Sequence, residues 1–306
     1  MVELTPPQPS FLGSPVAGSI DDASDFGIVG IPYGVPYGPS GLHSDAANAP
    51  QALRQRSFRL ASHGDKYDWD LGGTMLGGSR ASVLDYGDVA GSLQPETNRD
   101  NGREAVRRLL THGSVPIVLG GDDSVPAIAL SAYENFGPVN VLQIDAHIDY
   151  RDEVNGNREG YSSPMRRIRE MPWVDRIVQV GARGTGSARP EDVEDALAAG
   201  NIFVTADRVH EEGIESVTRH IDASAPWFIT VDIDGLDPSE APGTSAALPG
   251  GLTYHQVRRI FAHTVSKSRP AGVDFVEHFP SLDVRDATSM VIARLIINLI
   301  GHSVRL

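Results

Sequence analysis

Short apolar runs alternate with amphipathic stretches along most of the chain. Eight of these runs have the length of buried strands and end at glycine, proline or acidic residues. Helical patterns lie between several of them, for example at 101–112 and 190–199. Strands that alternate with helices require crossover connections, so the pattern predicts a parallel sheet buried on both faces. A closed eight-stranded barrel fits the same pattern, and periodicity does not separate the two folds. The predicted strands are 26–31, 83–86, 115–119, 139–145, 177–180, 202–205, 227–231 and 272–276.

The chain shows no internal repeat and no linker that divides it, so we predict a single domain over residues 25–306. Residues 1–24 are rich in Pro, Ser, Gly and Asp. We expect them to form an N-terminal arm that lies on the surface or on a partner subunit.

Composition excludes several classes of protein. The 26 basic and 40 acidic residues give a net charge of −14, which argues against a nucleic-acid partner. Without cysteine there is no disulfide, thiolate nucleophile or sulfur-ligated metal. No apolar run approaches the roughly 18 residues of a membrane span, and the N-terminus lacks the pattern of a signal peptide. We therefore expect a cytoplasmic protein without a membrane partner.

The run that begins at Val141 ends in three metal-ligand residue types. Asp145, His147 and Asp149 are spaced two apart, and side chains at that spacing share one face of a strand. The alternative is a polar strand end whose aspartates cap the next helix. Three more predicted strands also end in carboxylates, which makes that alternative weaker. These carboxylates are Asp122, Asp123, Asp232, Asp234 and Glu277.

Parallel strands bring their carboxyl ends to one edge of a sheet, so the seven carboxylates and one imidazole should lie close together. Charges this close repel by several kcal/mol per pair even at a moderate effective dielectric constant. Divalent ions would relieve the repulsion, and an Asp-rich set favours Mn²⁺-like cations. Two ions bridged by shared aspartates would generate a hydroxide at neutral pH, which is the chemistry of hydrolysis.

The same residues carry a family resemblance. Gly-Gly-Asp-Asp-Ser124, Asp145-Ala-His-Ile-Asp149 and Asp232-Ile-Asp-Gly-Leu-Asp-Pro238 resemble signatures of the arginase/agmatinase (ureohydrolase) family. Further similar segments follow in the family's order, and together they cover about 26 to 300. They are Gly30-Ile-Pro-Tyr33, Pro50-Gln-Ala-Leu-Arg54, Gly87-Asp-Val89, Gly250-Gly-Leu252 and Asp274-Phe-Val-Glu277.

The resemblance implies a three-layer αβα fold with an eight-stranded, mainly parallel sheet rather than a barrel. It implies a binuclear Mn²⁺ site in a homotrimer or homohexamer, which hydrolyses a C–N bond of a small cationic guanidino compound, commonly with release of urea. Asp145 and Asp232 would bridge the ions, and Glu277 would bind the guanidinium. The remaining implied ligands are Asp123 and Asp149 for the first ion and His147 and Asp234 for the second.

Two departures from the family bear on this reading. Asp123 stands where the family usually has a histidine ligand, which raises the site from four carboxylates to five. The extra charge should lower the Lewis acidity of the ions and favour another metal, such as Ni²⁺ or Fe²⁺, or a higher pH. Residues 159–165 also lack a histidine that the family places near the substrate. Tyr161 or Ser162 is then expected to line the pocket, and Asn155 lies where substrate contacts are expected.

Two functional interpretations remain open. The chain is either a working amidinohydrolase on a guanidino or amidine compound, with Asp149 and Glu277 as catalytic residues, or a silent paralogue that supports an active partner in a hetero-oligomer. Retention of the repulsive carboxylate cluster favours the enzyme, because a silent subunit has no physical reason to keep it. Loss of two histidines favours the partner subunit.

Overall fold

A nine-stranded sheet forms the middle layer of the fold. The computed structural model describes residues 2–35, 44–92 and 94–306. The strands are β1 (Leu4–Thr5), β2 (Phe26–Gly30), β3 (Val83–Val89), β4 (Val115–Leu119), β5 (Val139–Ile144), β6 (Val174–Val180), β7 (Ile202–Val204), β8 (Trp227–Asp232) and β9 (Gly272–Val276). They lie in the order β1-β3-β2-β4-β9-β8-β5-β6-β7, and all neighbours are parallel except β1 and β3.

Helices cover both faces of this sheet. They are α1 (Ala49–Phe58), α2 (Pro95–Thr111), α3 (Val125–Ser131), α4 (Pro164–Arg169), α5 (Pro190–Ala198), α6 (Ala206–Glu212), α7 (Glu215–Thr218), α8 (Tyr254–Lys267) and α9 (Ala287–Ser303). One apolar core lies between the sheet and helices α1 and α6–α9, and a second lies between the sheet and α2–α5. The central strands are buried on both faces, which explains their nearly continuous apolar sequences.

The predicted three-layer αβα fold is confirmed, and the barrel is excluded because the sheet is open, with β1 and β7 at its edges. The prediction of eight strands was one short. The ninth strand, β1, is only two residues long and pairs with Asp88 and Val89 through its backbone. So short a strand leaves no periodic pattern in the sequence. None of the helices in the described ranges is both long and apolar enough to cross a bilayer.

A fully buried ion pair ties α1 to β3. The guanidinium of Arg54 donates to both carboxylate oxygens of Asp85, at 2.9 and 3.0 Å, and to Asp88 at 2.5 Å. Asp85 also accepts from the N–H groups of Phe11 and Gly87. The pair therefore joins a helix, an edge-region strand and the N-terminal segment that contains Phe11.

Four neighbouring strands in the middle of the sheet position the candidate site. In the order β4, β9, β8, β5, these strands are mutually parallel, so their carboxyl ends lie side by side at one edge. All four predicted polar clusters follow these strands. The sheet thus brings together residues that are up to 155 positions apart in the chain, from Asp122 to Glu277.

Candidate metal centre

A cavity of about 460 Å³ opens at the carboxyl ends of β4, β9, β8 and β5. Carboxylates form its floor, and hydroxyl-bearing, small and aromatic residues form its walls. The described lining residues are Ser44, Asp122, Asp123, His147, Asp149, Tyr161, Ser162, Ser187, Asp232, Asp234, Ser245, Ala246, Glu277 and Phe279.

Two groups of possible metal ligands lie at this cavity and share one buried residue that is not itself among the lining residues. Asp145, His147 and Asp234 form the first group, and Asp123, Asp145 and Asp149 form the second. Within each group, one ligand atom from every residue lies within 4.8 Å of the others. Asp145, which follows β5 directly, is therefore placed to serve both groups.

Backbone hydrogen bonds fix the ligand loops. Asp145 Oδ1 accepts from the N–H of His147 at 2.6 Å, and Asp234 Oδ1 accepts from the N–H of Ala146 at 3.0 Å. Asp232 Oδ1 accepts from the N–H of Asp234 at 2.9 Å. The imidazole Nδ1 of His147 lies 3.1 Å from Asp234 Oδ2. The ends of β5 and β8 are in this way locked to each other.

Two residues of the site have backbone angles that favour glycine. Asp149 has φ = 40° and Glu277 has φ = 58°. A non-glycine residue in this region costs on the order of 1–3 kcal/mol, and such strain persists only where the surroundings hold it in place. In both cases the strained residue contributes a carboxylate to the cavity.

Burial and mutual repulsion raise the pKa of the clustered carboxylates. Burial is the largest cause for Asp123, Asp145, Asp149 and Asp232, and neighbouring carboxylates raise the pKa of each further. Hydrogen bonds to Asp145 and Asp234 raise the pKa of His147 to about 11. The cluster therefore strongly favours a positive charge in its midst.

The donors present fit a metal ion. Asp123 Oδ2 is buried and has no hydrogen-bond partner among the described residues, although buried polar atoms are nearly always paired. Carboxylate oxygens with one imidazole are the donors that Mn²⁺ and similar divalent ions accept. A cation held among these residues would satisfy the orphan oxygen and offset the repulsion.

Asp122 plays a different role from its neighbour Asp123. Asp122 Oδ1 accepts from both the N–H and the hydroxyl of Ser124, at 2.9 and 2.6 Å. This bond pair closes the turn into α3. Asp122 is thus committed to the loop. Three of the seven predicted carboxylates belong to neither ligand group, namely Asp122, Asp232 and Glu277.

Glu277 stands on the wall beside the candidate ligands. Its Oε1 accepts from the N–H of Asp123 at 2.9 Å. Burial, followed by the negative charges of Asp122, Asp234 and Asp145, raises the pKa of Glu277 to about 8, although the hydrogen bond from the N–H of Asp123 acts in the opposite direction. A cationic group in the cavity would stabilise the carboxylate form.

Comparison with known proteins identifies the family. A sequence profile described as the Arginase family matches residues 24–301. The chain belongs to the arginase family. It is 30% identical over 288 residues to a guanidinobutyrase from Pseudomonas aeruginosa, covering 90% of this chain and 85% of the relative. It is 31% identical over 278 residues to proclavaminate amidinohydrolase from Streptomyces clavuligerus, covering 87% and 84%.

The fold of solved arginase-family structures agrees with this one. Formimidoylglutamase from Bacillus subtilis superposes with a TM-score of 0.83 at 25% identity, covering 98% of this chain and 92% of the other. The prediction that the chain is a hydrolase of C–N bonds in amidino compounds is confirmed at the level of the family by these relatives. The arginase family is known for binuclear metal sites, with which the two ligand groups agree.

The substrate residues predicted for this arginase-family chain divide into two sets. Tyr161 and Ser162 line the cavity. Asn155 is absent from the described lining residues, and it lies exposed in the turn that the Val154–Asn157 bridge closes. Its role as a substrate contact stays a prediction that the described cavity does not support.

Other polar residues near the site have structural partners. Arg151 donates to the carbonyl of Ser187, and Asp152 pairs with Arg158 and Arg167. His278, which follows Glu277, contacts the carbonyl of Gly243 and the hydroxyl of Ser289.

Sequence reasoning missed five of the described lining residues. Ser44, Ser187 and Ser245 lie in loops, and their residue type carries no signal of its own. Ala246 belongs to the Pro/Gly/Ala loop after β8, and Phe279 follows Glu277 by two positions. Proximity to a predicted ligand could have indicated only Phe279.

Proposed function

We propose that this chain is a metal-dependent amidinohydrolase that hydrolyses a C–N bond of a small guanidino or amidine compound, in the manner of an agmatinase and with release of urea from a guanidino substrate. The observation that supports this most is the carboxylate and imidazole cluster on the cavity floor, with Asp145 common to both ligand groups. Family membership supports the reaction class.

The ligand assignment follows the family resemblance. The two groups accord with it except for Asp232, which lines the cavity but belongs to neither group. Asp145 and Asp232 would bridge two ions, Asp123 and Asp149 would complete the first, and His147 and Asp234 the second. Mn²⁺ is the first expectation, with Ni²⁺ or Fe²⁺ as alternatives because of the extra carboxylate at Asp123. Two bound divalent ions supply Lewis acidity and lower the pKa of water.

Glu277 is the residue proposed to bind the substrate. Guanidinium groups pair with carboxylates through short, charge-assisted hydrogen bonds that are often bidentate. The N–H of Asp123 holds one oxygen of Glu277, which orients the carboxylate before a substrate arrives. Asp149 is proposed to act at the reacting centre because it lines the cavity and belongs to the second ligand group.

The charge of the cavity wall favours a particular substrate tail. Among the lining residues that the structure describes, none is lysine or arginine. The segment 36–43, which precedes the lining residue Ser44, contains neither lysine nor arginine in its sequence. A substrate carboxylate would therefore face acidic residues without a fixed cation to pair with. We propose that a cationic or neutral tail is preferred to an acidic one.

A product-release screen tests the proposed function. The metal-loaded protein is incubated with agmatine, arginine, guanidinobutyrate, guanidine and formimidoyl compounds, with Mn²⁺ first and then Ni²⁺ and Fe²⁺. We expect urea or ammonia release from at least one cationic or neutral compound, and none from Asp232→Ala. If no compound yields product with any of the three metals, the proposal that the chain is an enzyme is contradicted.

One observation favours the alternative of a silent partner subunit. Among the described lining residues, His147 provides the sole imidazole, and it is assigned to a metal ion. The described part of the walls therefore offers no other side chain that normally titrates near neutral pH. Sedimentation analysis with and without a candidate paralogue tests this role. A homotrimer or homohexamer that is active by itself, which is the expected result, would exclude it.

A further inference from the structure

Three amide side chains form a buried row in the sheet next to the metal centre. Gln143 in β5 and Gln179 in β6 are register partners, and Asn201 lies just before β7. All three are at most 4% exposed. Buried amides are costly unless they are hydrogen-bonded, so their presence in the middle of an apolar sheet calls for a function.

The amides form one directed chain of hydrogen bonds that ends on a candidate ligand. Asn201 Nδ2 donates to Gln179 Oε1 at 2.8 Å, and Gln179 Nε2 donates to Gln143 Oε1 at 2.6 Å. Gln143 Nε2 then donates to Asp145 Oδ2 at 2.5 Å.

The direction of this chain fixes the orientation of every amide. An amide has donors on its nitrogen and acceptors on its oxygen. Because Gln143 Oε1 is engaged by Gln179, the nitrogen of Gln143 must face Asp145. The reverse orientation would place an amide oxygen against a carboxylate oxygen, which is repulsive.

Gln179 holds the same ligand loop at a second point. Its Nε2 also donates to the carbonyl of Ile148 at 2.8 Å. Ile148 lies between His147 and Asp149, and Asp149 has the strained φ of 40°. The row of amides is therefore hydrogen-bonded to the ligand loop 145–149 at two points, the side chain of Asp145 and the carbonyl that immediately precedes Asp149.

We propose that Gln143 and Gln179 are positioning residues of the metal centre. They hold the Asp145 carboxylate and the Ile148 carbonyl so that Asp145 and Asp149 are oriented before an ion binds. Each carboxylate oxygen can accept more than one interaction, so the bond from Gln143 leaves Asp145 able to ligate. This inference rests on the metal centre of the proposed function, but its test requires no turnover.

The test measures Mn²⁺ affinity of the metal-stripped protein by competition with a fluorescent chelator. The variants are Gln143→Met and Gln179→Met, which keep the side-chain length and remove the amide. Partners of this kind typically change metal affinity by about 10–100-fold, and we expect a loss in that range. Asn201→Ala, which removes only the far end of the row, should give a smaller loss.

Thr230→Val is the matched control. Thr230 is the register partner of Gln143 on β8 and is equally buried, and its hydroxyl forms no hydrogen bond to a candidate ligand among the described residues. We expect its Mn²⁺ affinity to stay within about twofold of the unmodified protein, with circular dichroism confirming the fold of every variant. Where a glutamine variant does not fold, Asn201→Ala decides, and an affinity equal to that of Thr230→Val overturns the proposal.

The remaining outcomes are equally decisive. Unchanged affinity in both glutamine variants overturns the positioning role, as does an equal loss in the glutamine variants and in Thr230→Val. Absence of divalent-ion binding by the unmodified protein would overturn the proposed function together with this inference, whereas unchanged affinity in the variants overturns the inference alone.

Discussion

The main-chain N–H of Asp123 donates a 2.9 Å hydrogen bond to Oε1 of Glu277. A second bond of 2.9 Å runs from the N–H of Glu277 to the carbonyl of Gly121. These bonds join the carboxyl ends of the neighbouring strands β4 and β9. They hold a candidate ligand, Asp123, and the carboxylate proposed to bind the substrate, that of Glu277, in one rigid unit. A substitution at either residue should therefore alter the position of the other.

The first prediction concerns Glu277. Glu277→Gln keeps the size and the acceptor for the Asp123 N–H but removes the negative charge that would pair with a guanidinium. A hydrogen bond to a charged group contributes about 1.5–3 kcal/mol, which corresponds to roughly a 10–100-fold rise in KM for a cationic substrate. Steady-state kinetics on the best substrate of the screen provides the measurement.

Glu212→Gln serves as the control for this change, because Glu212 lies in α6 and pairs with two exposed arginines. It should leave KM unchanged, and the metal content of both variants should equal that of the unmodified protein. A KM for Glu277→Gln within twofold of the unmodified value would argue against substrate binding by Glu277.

The second prediction concerns metal content and stability. Because bound cations offset the repulsion among the clustered carboxylates, we expect elemental analysis of the dialysed protein to find close to two divalent ions per chain. Chelation should lower the melting temperature, and added Mn²⁺ should restore it. Asp232→Ala should abolish both the activity and most of this restoration. A melting temperature that does not respond to metal in the unmodified protein would count against the centre.

Asp123 provides a third prediction. Its Oδ2 is buried without a hydrogen-bond partner in the part of the chain that the structure describes, which suits a ligand atom. Asp123→His replaces a negative oxygen donor by a neutral nitrogen donor, so the site carries one negative charge fewer. We expect the order of activation by Mn²⁺, Ni²⁺ and Fe²⁺, or the pH profile of kcat, to change. Identical metal preference and pH profile would indicate that residue 123 does not contact the ion.

Much of the centre could be predicted from the sequence because its residues follow apolar strands. The two-residue spacing of polar residues at the end of β5 predicts three ligands, Asp145, His147 and Asp149. The same spacing at the end of β8 predicts Asp232 and Asp234. What brings them together is the strand order, in which β8 and β9 insert between β4 and β5. That order was not predicted, since local patterns carry no information on which strands are neighbours.

The parts that could not be predicted depend on tertiary contacts. The two-residue strand β1 exists because the edge of β3 offers backbone partners at Asp88 and Val89, which no local pattern reveals. Asn155 has the polar character of a substrate contact, yet the turn in which it lies directs it to the surface. Gln143 could be read only as a polar residue inside an apolar run until its partner Gln179 was known.

The fourth prediction is a pH dependence of stability that arises at Asp274. This residue is fully buried in β9. Burial raises the pKa of its carboxyl to about 8, because the opposing effects of the nearby Thr230 and Val231 are smaller. In the unfolded chain the pKa is about 3.9. The folded state therefore binds the proton more tightly, and the free energy of unfolding should fall as the pH rises from about 4 to about 8.

Asp274→Asn removes the titratable carboxyl and should make the free energy of unfolding less dependent on pH. Urea unfolding at pH 5, 6.5 and 8 in the presence of EDTA measures the difference between the variant and the unmodified protein. Asp237→Asn is the control, because hydrogen bonds from Ser239 lower the pKa of Asp237 to about 2 and it stays ionised throughout this window. Its curve should run parallel to that of the unmodified protein. A parallel curve for Asp274→Asn as well would contradict the prediction.

The fifth prediction concerns the buried pair of Arg54 and Asp85. Arg54→Met keeps most of the apolar volume but leaves the Asp85 carboxylate buried without its cation. Breaking such a pair from one side typically costs about 3–5 kcal/mol of unfolding free energy, since the remaining charge is uncompensated.

The matched control is Arg208→Met, which removes an exposed pair with Glu212 in α6 and should cost about 0.5 kcal/mol or less. Chemical unfolding of both variants measures the contrast. Because α1 and β3 lie outside the metal centre, Arg54→Met should retain the metal content of the folded protein. Equal costs for the two substitutions would show that the Arg54 pair does not hold α1 to β3.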